Sequence, residues 1–572
     1  MINRIFTDTI DRKFVGKEIT ISGWVDTVRD HGGVIFIDLR NMTGKLQCVF
    51  DVAGKDKEFK KLSESIRPEW VVEVKGVIRE RPPESVNPKI PTGEVELLVG
   101  EFKILNRAKN LPFYPDDSVS EELRLKYRFL DLRSQKMRRN LLAVSRIMKI
   151  TRDYFDELGF VEVPTPMLTK STPEGARDYI VPARLKPGCF FALPQSPQLF
   201  KQILMASGIE KYYQIVRCFR DEDTRGDRQP EFNQIDLEMA FAEKEDVMDV
   251  VWGLVEKVFN EFAVKFERPA ILDFEDAIKM YGTDKPDLRI KISPLKDISE
   301  IFKNTGFEIF KKQITQGNPV VCFFSNKNFS RSELDELVKV AKEEGLSGLL
   351  WIKKEGDSLK SPATKFLREE EIKALSKIYE AEGTIFVVAG KSAFFEAGLV
   401  REKISQMHGL REEGFYPLWI VNAPLFELDK DGKITSVHHP FTAPVGDIFN
   451  QDPLTLKSLA YDLVINGVEI GGGSIRIHSS DIQKKVFEIL GMDEKQYSEK
   501  FSFLLRALES GCPPHGGFAF GLERFVAILF NLPSIREVIA FPKTQNVQCL
   551  LTDAPSPVSE KQLKELSIKV DI

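Results

Sequence analysis

Residues 214–238 read QIVRCFRDEDTRGDRQPEFNQIDLE, and the order strand, polar loop, strand within them decides the fold. The first strand ends on Arg220, Asp221 and Glu222. The loop 223–230 carries Arg225, Arg228 and Gln229, and the returning strand carries Phe232, Gln234, Asp236 and Glu238. Alternate residues of a strand share one face, so those last four stand in a row. An ordinary strand buries such a face with Val or Leu. A polar row beside a basic loop predicts a polar ligand, a nucleotide among the candidates. A surface hairpin laced with salt bridges stays open as the other reading.

Two further stretches share this character. Gly516-Gly-Phe-Ala-Phe-Gly-Leu-Glu-Arg-Phe525 brackets an apolar strand with glycines, and Gly521 opens an amphipathic helix. Arg524 then falls in the helix's first turn, where a cation opposes the macrodipole. That misfit suggests a phosphate or a ring as its partner. In Tyr461-Asp-Leu-Val-Ile-Asn-Gly-Val-Glu-Ile-Gly-Gly-Gly-Ser-Ile-Arg-Ile-His478, three consecutive glycines weaken a β hairpin and are better explained by a closely approaching ligand. Asp462 and Glu469 together with phosphate oxygens would suit magnesium. Arg476 lies on a different face from Ile475 and Ile477.

Around these stretches lie 572 residues, too many for one hydrophobic core. The formal charge is −5, and the first 110 residues hold 19 basic against 17 acidic side chains. Nucleic-acid binding must therefore rest on a local patch and on shape. Residues 18–100 read as five short strands (34–39, 45–50, 70–79 and 94–99 the clearest), as in a small Greek-key barrel. A linker at 106–120 leads to a helix over 134–158 and a strand at 160–163. Residues 287–415 alternate helices and strands without a catalytic constellation, and 328–344 has the charge pattern of a solvated helix face. The six cysteines lack C-x-x-C spacing, so neither a disulfide framework nor a zinc site is expected. His438 and His439 are adjacent and point apart along a strand, which disfavours a shared metal. His408, His478 and His515 read as structural or solvent-facing. No signal peptide or membrane span is visible, and a cytoplasmic protein is expected.

The blocks TPEGARDYIVPAR (172–184), ALPQSPQLFKQ (192–202), FRDEDTRGDRQPEFNQID (219–236), HHPFTAP (438–444), NGVEIGGGSIRIH (466–478), GLERF (521–525) and VIAFPKT (538–544) resemble, in order, those of bacterial aspartyl-tRNA synthetases, class II enzymes. The resemblance spans nearly the whole chain. It implies a multidomain α+β protein: an OB-fold anticodon-binding barrel (1–105), a hinge (106–120), a catalytic domain on an antiparallel sheet with flanking helices (121–286 and 416–572), and an inserted α+β domain (287–415). It also implies a homodimer, formed through the helix and strand leading to Pro164.

On matching positions the resemblance gives Arg220 the α-phosphate of ATP and lets Phe232 and Arg524 sandwich adenine. Asp221, Glu222, Gln229, Gly521, Leu522 and Glu523 complete the nucleotide site, and Asp462 and Glu469 take Mg2+. Arg220, Glu469 and Arg524 form the catalytic set. Lys201 and Arg476 recognise the side-chain carboxylate of L-aspartate. Ser196, Gln198 and Asp236 receive its α-ammonium, and Glu174 and His438 close over it. In the barrel, Arg29, Phe36, Gln47 and Glu96 read the anticodon of tRNA(Asp); a buried core residue is the other reading of Phe36 from the sequence alone. His31 stands where strictly discriminating members carry Leu, and so resembles members that also charge tRNA(Asn). A tRNA(Asp)-specific enzyme and a non-catalytic tRNA-binding relative are the alternatives.

Overall fold

The computed structural model describes residues 5–571 apart from Pro173, Glu174, Arg225, Glu344, Ser347 and Asp357. The chain divides into two compact units, residues 1–140 with 550–552, and residues 141–549 with 553–572.

In the first unit the strands Glu18–Asp30, Val34–Arg40, Lys45–Asp51, Val71–Glu80 and Val95–Asn106 close into a barrel. Its hydrogen-bonded order runs first, second, third, fifth, fourth and back to the first, the arrangement of an OB-fold. Period-two burial explains the wall. Ile35, Ile37 and Leu39 point into the core with Leu46, Cys48 and Phe50, while Phe36 and Asp38 point out. The last strand runs on through Gly100 to Asn106, past the expected end at Val99. Register shifts in its pairing with Val71–Glu80 bend the two strands around each other.

The second unit is built on an eight-stranded sheet. Its order is Ala270–Asp273, Pro417–Val421, Ala460–Ile465, Val468–Ile475, His515–Gly521, Glu231–Ala240, Lys211–Phe219, Val161–Glu162. Only the two outermost pairs are parallel. Ile235, Leu237, Phe518, Phe520 and Leu463 turn to one side, where helices Lys244–Glu261 and Leu522–Leu529 bury them. Gln234, Asp236 and Glu238 turn to the other, against helix Gln198–Ala206. The polar row is thus an interior face, not a surface hairpin.

A separate five-stranded antiparallel sheet, order Lys296–Asp297, Val320–Ser325, Gly383–Ala389, Leu350–Glu355, Ser358–Lys360, lies between the two halves of the larger one in sequence. Helix Arg331–Glu343 beside it is only half solvated, for Leu334, Leu337 and Ala341 enter the core beside the sheet. Among the described residues no helix is long and apolar enough to cross a membrane.

Candidate active site

Four charged side chains occupy the interior face of the large sheet. Lys201 Nζ lies 2.8 Å from Asp236 Oδ2 and 3.2 Å from Glu238 Oε2. Arg476 donates from Nε to Glu238 Oε1 at 2.9 Å and from Nη1 to Ser474 Oγ at 2.7 Å. All four charged groups are at most 2 % exposed. Unpaired, any of them would be several kcal/mol unfavourable, so the cluster stands only as a set of two cations and two carboxylates. Burial pushes Asp236 up to about 6 against the pull of Lys201. Glu238 is held below the usual range, since Arg476 and Lys201 outweigh its burial. Gly517 makes the room: a Cβ there would overlap the Glu238 carboxylate.

Glu238 belongs to the sequence row, but only the structure makes it the joint between the two cations. His439 is a second addition. Its Nε2 lies 2.7 Å from Arg476 Nη1, so the ring accepts there as a neutral imidazole, with its pKa driven well down by burial and Arg476. His438 turns instead towards Asp462, at 3.9 Å. His515 is internal, with Nδ1 2.8 Å from the Pro513 carbonyl.

Among the described residues, Asp236 Oδ1 and Gln198 Nε2 are buried polar atoms at this end that have no partner. A carboxylate oxygen and an amide donor left open beside each other's helix and strand are what an ammonium carboxylic acid would satisfy. Ser196 lies two residues before Gln198, and its Oγ accepts from the Gln198 N–H at 3.3 Å. Glu174 lies outside the described residues. Ala176 and Asp178 are held by Gln195, which sequence reasoning passed over: its amide accepts from Ala176 N at 3.0 Å and donates to Ala176 O at 2.8 Å and to Asp178 Oδ1 at 2.6 Å.

Arg220 directly follows the strand Lys211–Phe219, with its guanidinium 5.1 Å from the Phe232 ring centre. Arg524 donates to the Glu469 carbonyl at 3.2 Å and to Asp227 Oδ2 at 3.2 Å, and its buried Nε has no partner among the described residues. Asp221 pairs with Arg177 at 3.7 Å and Glu222 with Arg228 at 3.0 Å, on the loop.

Three residues that the resemblance gave to the nucleotide have their side chains engaged elsewhere. Gln229 grips the backbone of Lys543, accepting from its N–H at 2.7 Å and donating to its carbonyl at 3.1 Å. Glu523 accepts from the Asn233 backbone N–H at 3.0 Å and from its side-chain amide at 2.6 Å. That contact ties the neighbours of Phe232 and Arg524 together. Leu522 is in the hydrophobic core. Gly521 offers only backbone atoms to a ligand.

Asp462 and Glu469 stand on the two strands of the hairpin that turns at Asn466-Gly467, whose positive φ values of 54° and 82° suit Asn-Gly; Glu469 pairs with Val464 and Asp462 with Gly472. Burial and the charge of Glu469 push Asp462 well up. Glu469 stays low despite its own burial because Lys285 sits 2.7 Å away. Gly472 has no Cβ to displace the Asp462 carboxylate, which occupies that space. Two crowded carboxylates in want of positive charge fit a hard divalent cation such as Mg2+. Among the described residues no group of three or more His, Cys, Asp or Glu side chains suits a metal ion.

In the barrel, Arg29, Gln47 and Glu96 form one chain. Arg29 Nη2 donates to Asp38 Oδ1 at 3.0 Å and to Gln47 Oε1 at 3.1 Å; Gln47 Nε2 donates to Glu96 Oε2 at 2.7 Å; Arg79 closes it on Glu96 Oε1 at 2.8 Å. Phe36 lies outside the core cluster, which removes the core reading, and His31 meets it edge-on at 5.5 Å. A partly exposed ring beside fixed donors and acceptors suits an unstacked base.

A family model described as tRNA synthetases class II (D, K and N) matches residues 120–545, and one described as OB-fold nucleic acid binding domain matches residues 19–105. The Aspartate--tRNA(Asp/Asn) ligase of Hydrogenobaculum sp. is 48% identical over 598 residues, covering 100% of both chains. That of Thermotoga maritima is 48% identical, covering 97% of each. Among solved structures, asparaginyl-tRNA synthetase from Pyrococcus horikoshii has a TM-score of 0.58 at 21% identity, covering 95% of this chain and 99% of its own. The Entamoeba histolytica asparaginyl-tRNA synthetase has a TM-score of 0.60 at 19% identity, covering 94% and 97%. These two establish likeness of fold.

Proposed function

The chain belongs to the class II tRNA synthetases (D, K and N), and from that membership we propose that it activates L-aspartate with ATP and transfers it to the 3′ end of tRNA. The observation that carries the choice of amino acid is the junction of Lys201 and Arg476 on Glu238. With Glu238, Ser474 and His439 served, one Nη2 hydrogen of Arg476 is left for the substrate's side-chain carboxylate. Asp236 Oδ1, with Gln198 and Ser196, takes the α-ammonium, and Glu174 and His438 close the pocket. Asparagine would leave that cationic group without an anion, several kcal/mol worse in a dry site.

Arg220 holds the α-phosphate, with Phe232 and Arg524 on the two faces of adenine. The aspartate α-carboxylate attacks the α-phosphorus in line and pyrophosphate leaves. A ribose hydroxyl of the tRNA terminus then attacks the acyl carbon, releasing AMP. Fixed positive charge and positioning lower both barriers without a covalent enzyme intermediate. Asp462 and Glu469 would hold Mg2+, which when bound neutralises phosphate oxygens. Aspartate-dependent ATP–pyrophosphate exchange tests the activation step and the choice of amino acid. Exchange driven equally by asparagine, or none with aspartate, rejects them.

Asp236 gives the activity a pH signature. Its folded pKa is raised to about 6, so the carboxylate needed by the ammonium disappears as pH falls through that value. Aspartate kcat/KM is therefore expected to drop below pH 6, approaching about tenfold per unit. The same shift makes the folded state bind more protons than the unfolded one between the ordinary Asp pKa and about 6, so this group's contribution to stability falls as pH rises through that window. An aspartate kcat/KM flat from pH 7.5 to 5 would show that Asp236 does not titrate near 6 in the working enzyme.

We read the barrel (1–105) as the anticodon-binding domain, joined by the hinge 106–120 to a catalytic domain in two parts (121–286, 416–572) around an inserted domain (287–415). His31 at the edge of Phe36, and the relatives' dual names, support charging of both tRNA(Asp) and tRNA(Asn). Side-by-side aminoacylation of the purified tRNAs decides this, and negligible charging of tRNA(Asn) refutes it. His31→Leu is expected to lower tRNA(Asn) charging about tenfold, the size of one base contact, while sparing tRNA(Asp). A homodimer through the Gln135–Glu157 helix and the following strand is supported by Leu142, Leu158, Val161 and Leu168, all exposed. Such an enzyme works in the cytoplasm.

A further inference from the structure

Lys285 has no part in the scheme above, yet its ammonium lies 2.7 Å from Glu469 Oε2 and 3.9 Å from Asp284. It sits in the turn Thr283-Asp-Lys-Pro-Asp287, where its backbone N–H donates to Thr283 Oγ1 at 3.1 Å. The turn is fixed on both sides. Gly282 before it has a φ of 71°, and a Cβ there would come within 2.8 Å of the Gly398 Cα on helix Ala393–His408. Asp287 after it binds Arg289 at 2.8 Å and approaches Arg411 at 3.6 Å, one arginine from each end of the inserted segment. Asp287 also packs on Gly467, where a Cβ would stand 3.0 Å from its own. Gly467 is the turn of the hairpin that carries Asp462 and Glu469. The neck of the inserted segment therefore delivers one lysine onto the acidic pair.

We propose that Lys285 is a tethered cation that holds the place of the divalent ion at Asp462 and Glu469 and is displaced when the metal loads. This rests on the reading of those carboxylates as metal ligands. Without a cation, Asp284, Asp462 and Glu469 repel one another across a half-buried site. Lysine suits a temporary occupant, being a point charge on a flexible stem, and its side chain is 41% exposed, so it can leave towards solvent. Arg524 does not fill this role, because it bonds the Glu469 carbonyl and Asp227, not the carboxylate. An ammonium 2.7 Å from Glu469 Oε2 and a divalent ion held by the same carboxylate repel each other, so loading the metal favours withdrawal of the lysine. Metal affinity is thereby set by how firmly the neck holds Lys285.

The test is Mn2+ binding to nucleotide-free enzyme, followed by the electron paramagnetic resonance of the free ion. Lys285→Met is expected to bind about tenfold more tightly, a modest figure for losing a half-exposed competing charge, with Lys285→Arg near wild type. The rise in Tm on adding Mn2+ is also expected to be larger for Lys285→Met. Unchanged or weaker binding by Lys285→Met overturns the proposal. Glu469→Gln separates the two ways of failing. If it weakens Mn2+ binding while Lys285→Met gains nothing, only the lysine's role is lost. If it leaves Mn2+ binding unchanged, the ligand assignment fails and the lysine's role with it.

Discussion

Arg476→Leu is expected to destabilise the protein by about 3–5 kcal/mol and to reduce aspartate-dependent pyrophosphate exchange by roughly two to three orders of magnitude. Arg476 and Glu238 are fully internal and joined by two hydrogen bonds, at 2.9 and 3.3 Å. Removing the arginine leaves two carboxylates facing Lys201 alone. The Arg476→Leu, Glu238→Leu pair separates recognition from stability. With both partners apolar, Lys201 keeps Asp236 at 2.8 Å and charge is balanced again. Denaturant melts should then recover most of the lost stability, since an apolar replacement of a buried ion pair is often neutral. Exchange should not recover, because no guanidinium faces the substrate. A double variant that regains aspartate use would show Arg476 to be only a structural counter-ion.

The sequence made the position of this cluster readable but not its wiring. Alternation in a strand placed Phe232, Gln234, Asp236 and Glu238 on one side, and the glycine run marked a strand that must admit something close. Both follow from local geometry, and the structure agrees. What stayed hidden were partners far apart in the chain. Gln229 turns to the backbone of Lys543 and Glu523 to Asn233, contacts between segments about 300 positions apart. Residue type alone could not tell a nucleotide ligand from a clamp in either case. Gln195 and Lys285 were missed for a related reason, since a glutamine before a helix and a lysine in a Thr-Asp-Lys-Pro turn look like ordinary polar loops. Phe36 shows the reverse. Its type allowed core or surface, and the inward positions of Ile35 and Ile37 settled which.

Arg220→Ala is expected to lower exchange by roughly two to three orders of magnitude while leaving Tm within a degree or two, the scale of losing one charged donor at a developing phosphoryl charge. The contrast with Arg476 follows from surroundings. Arg220 is partly exposed, and among the described residues no carboxylate pairs with it; its side-chain contact is the face of Phe232 at 5.1 Å. A cation kept without a counter-ion contributes little to folding, and a stacked exposed arginine adds about 0.5–1 kcal/mol at most. The same lack of a partner leaves its donors free for an anion. The strand pairing that fixes Phe232 opposite Cys218 holds it beside the row leading to Asp236, so a phosphate on Arg220 lies along the same strand as the amino-acid pocket. Arg220→Lys should recover charge but not the forked geometry, and so only part of the rate. If Arg220→Ala keeps full exchange activity, the α-phosphate must be held elsewhere, and Arg524, whose buried Nε has no partner among the described residues, is the residue to change next.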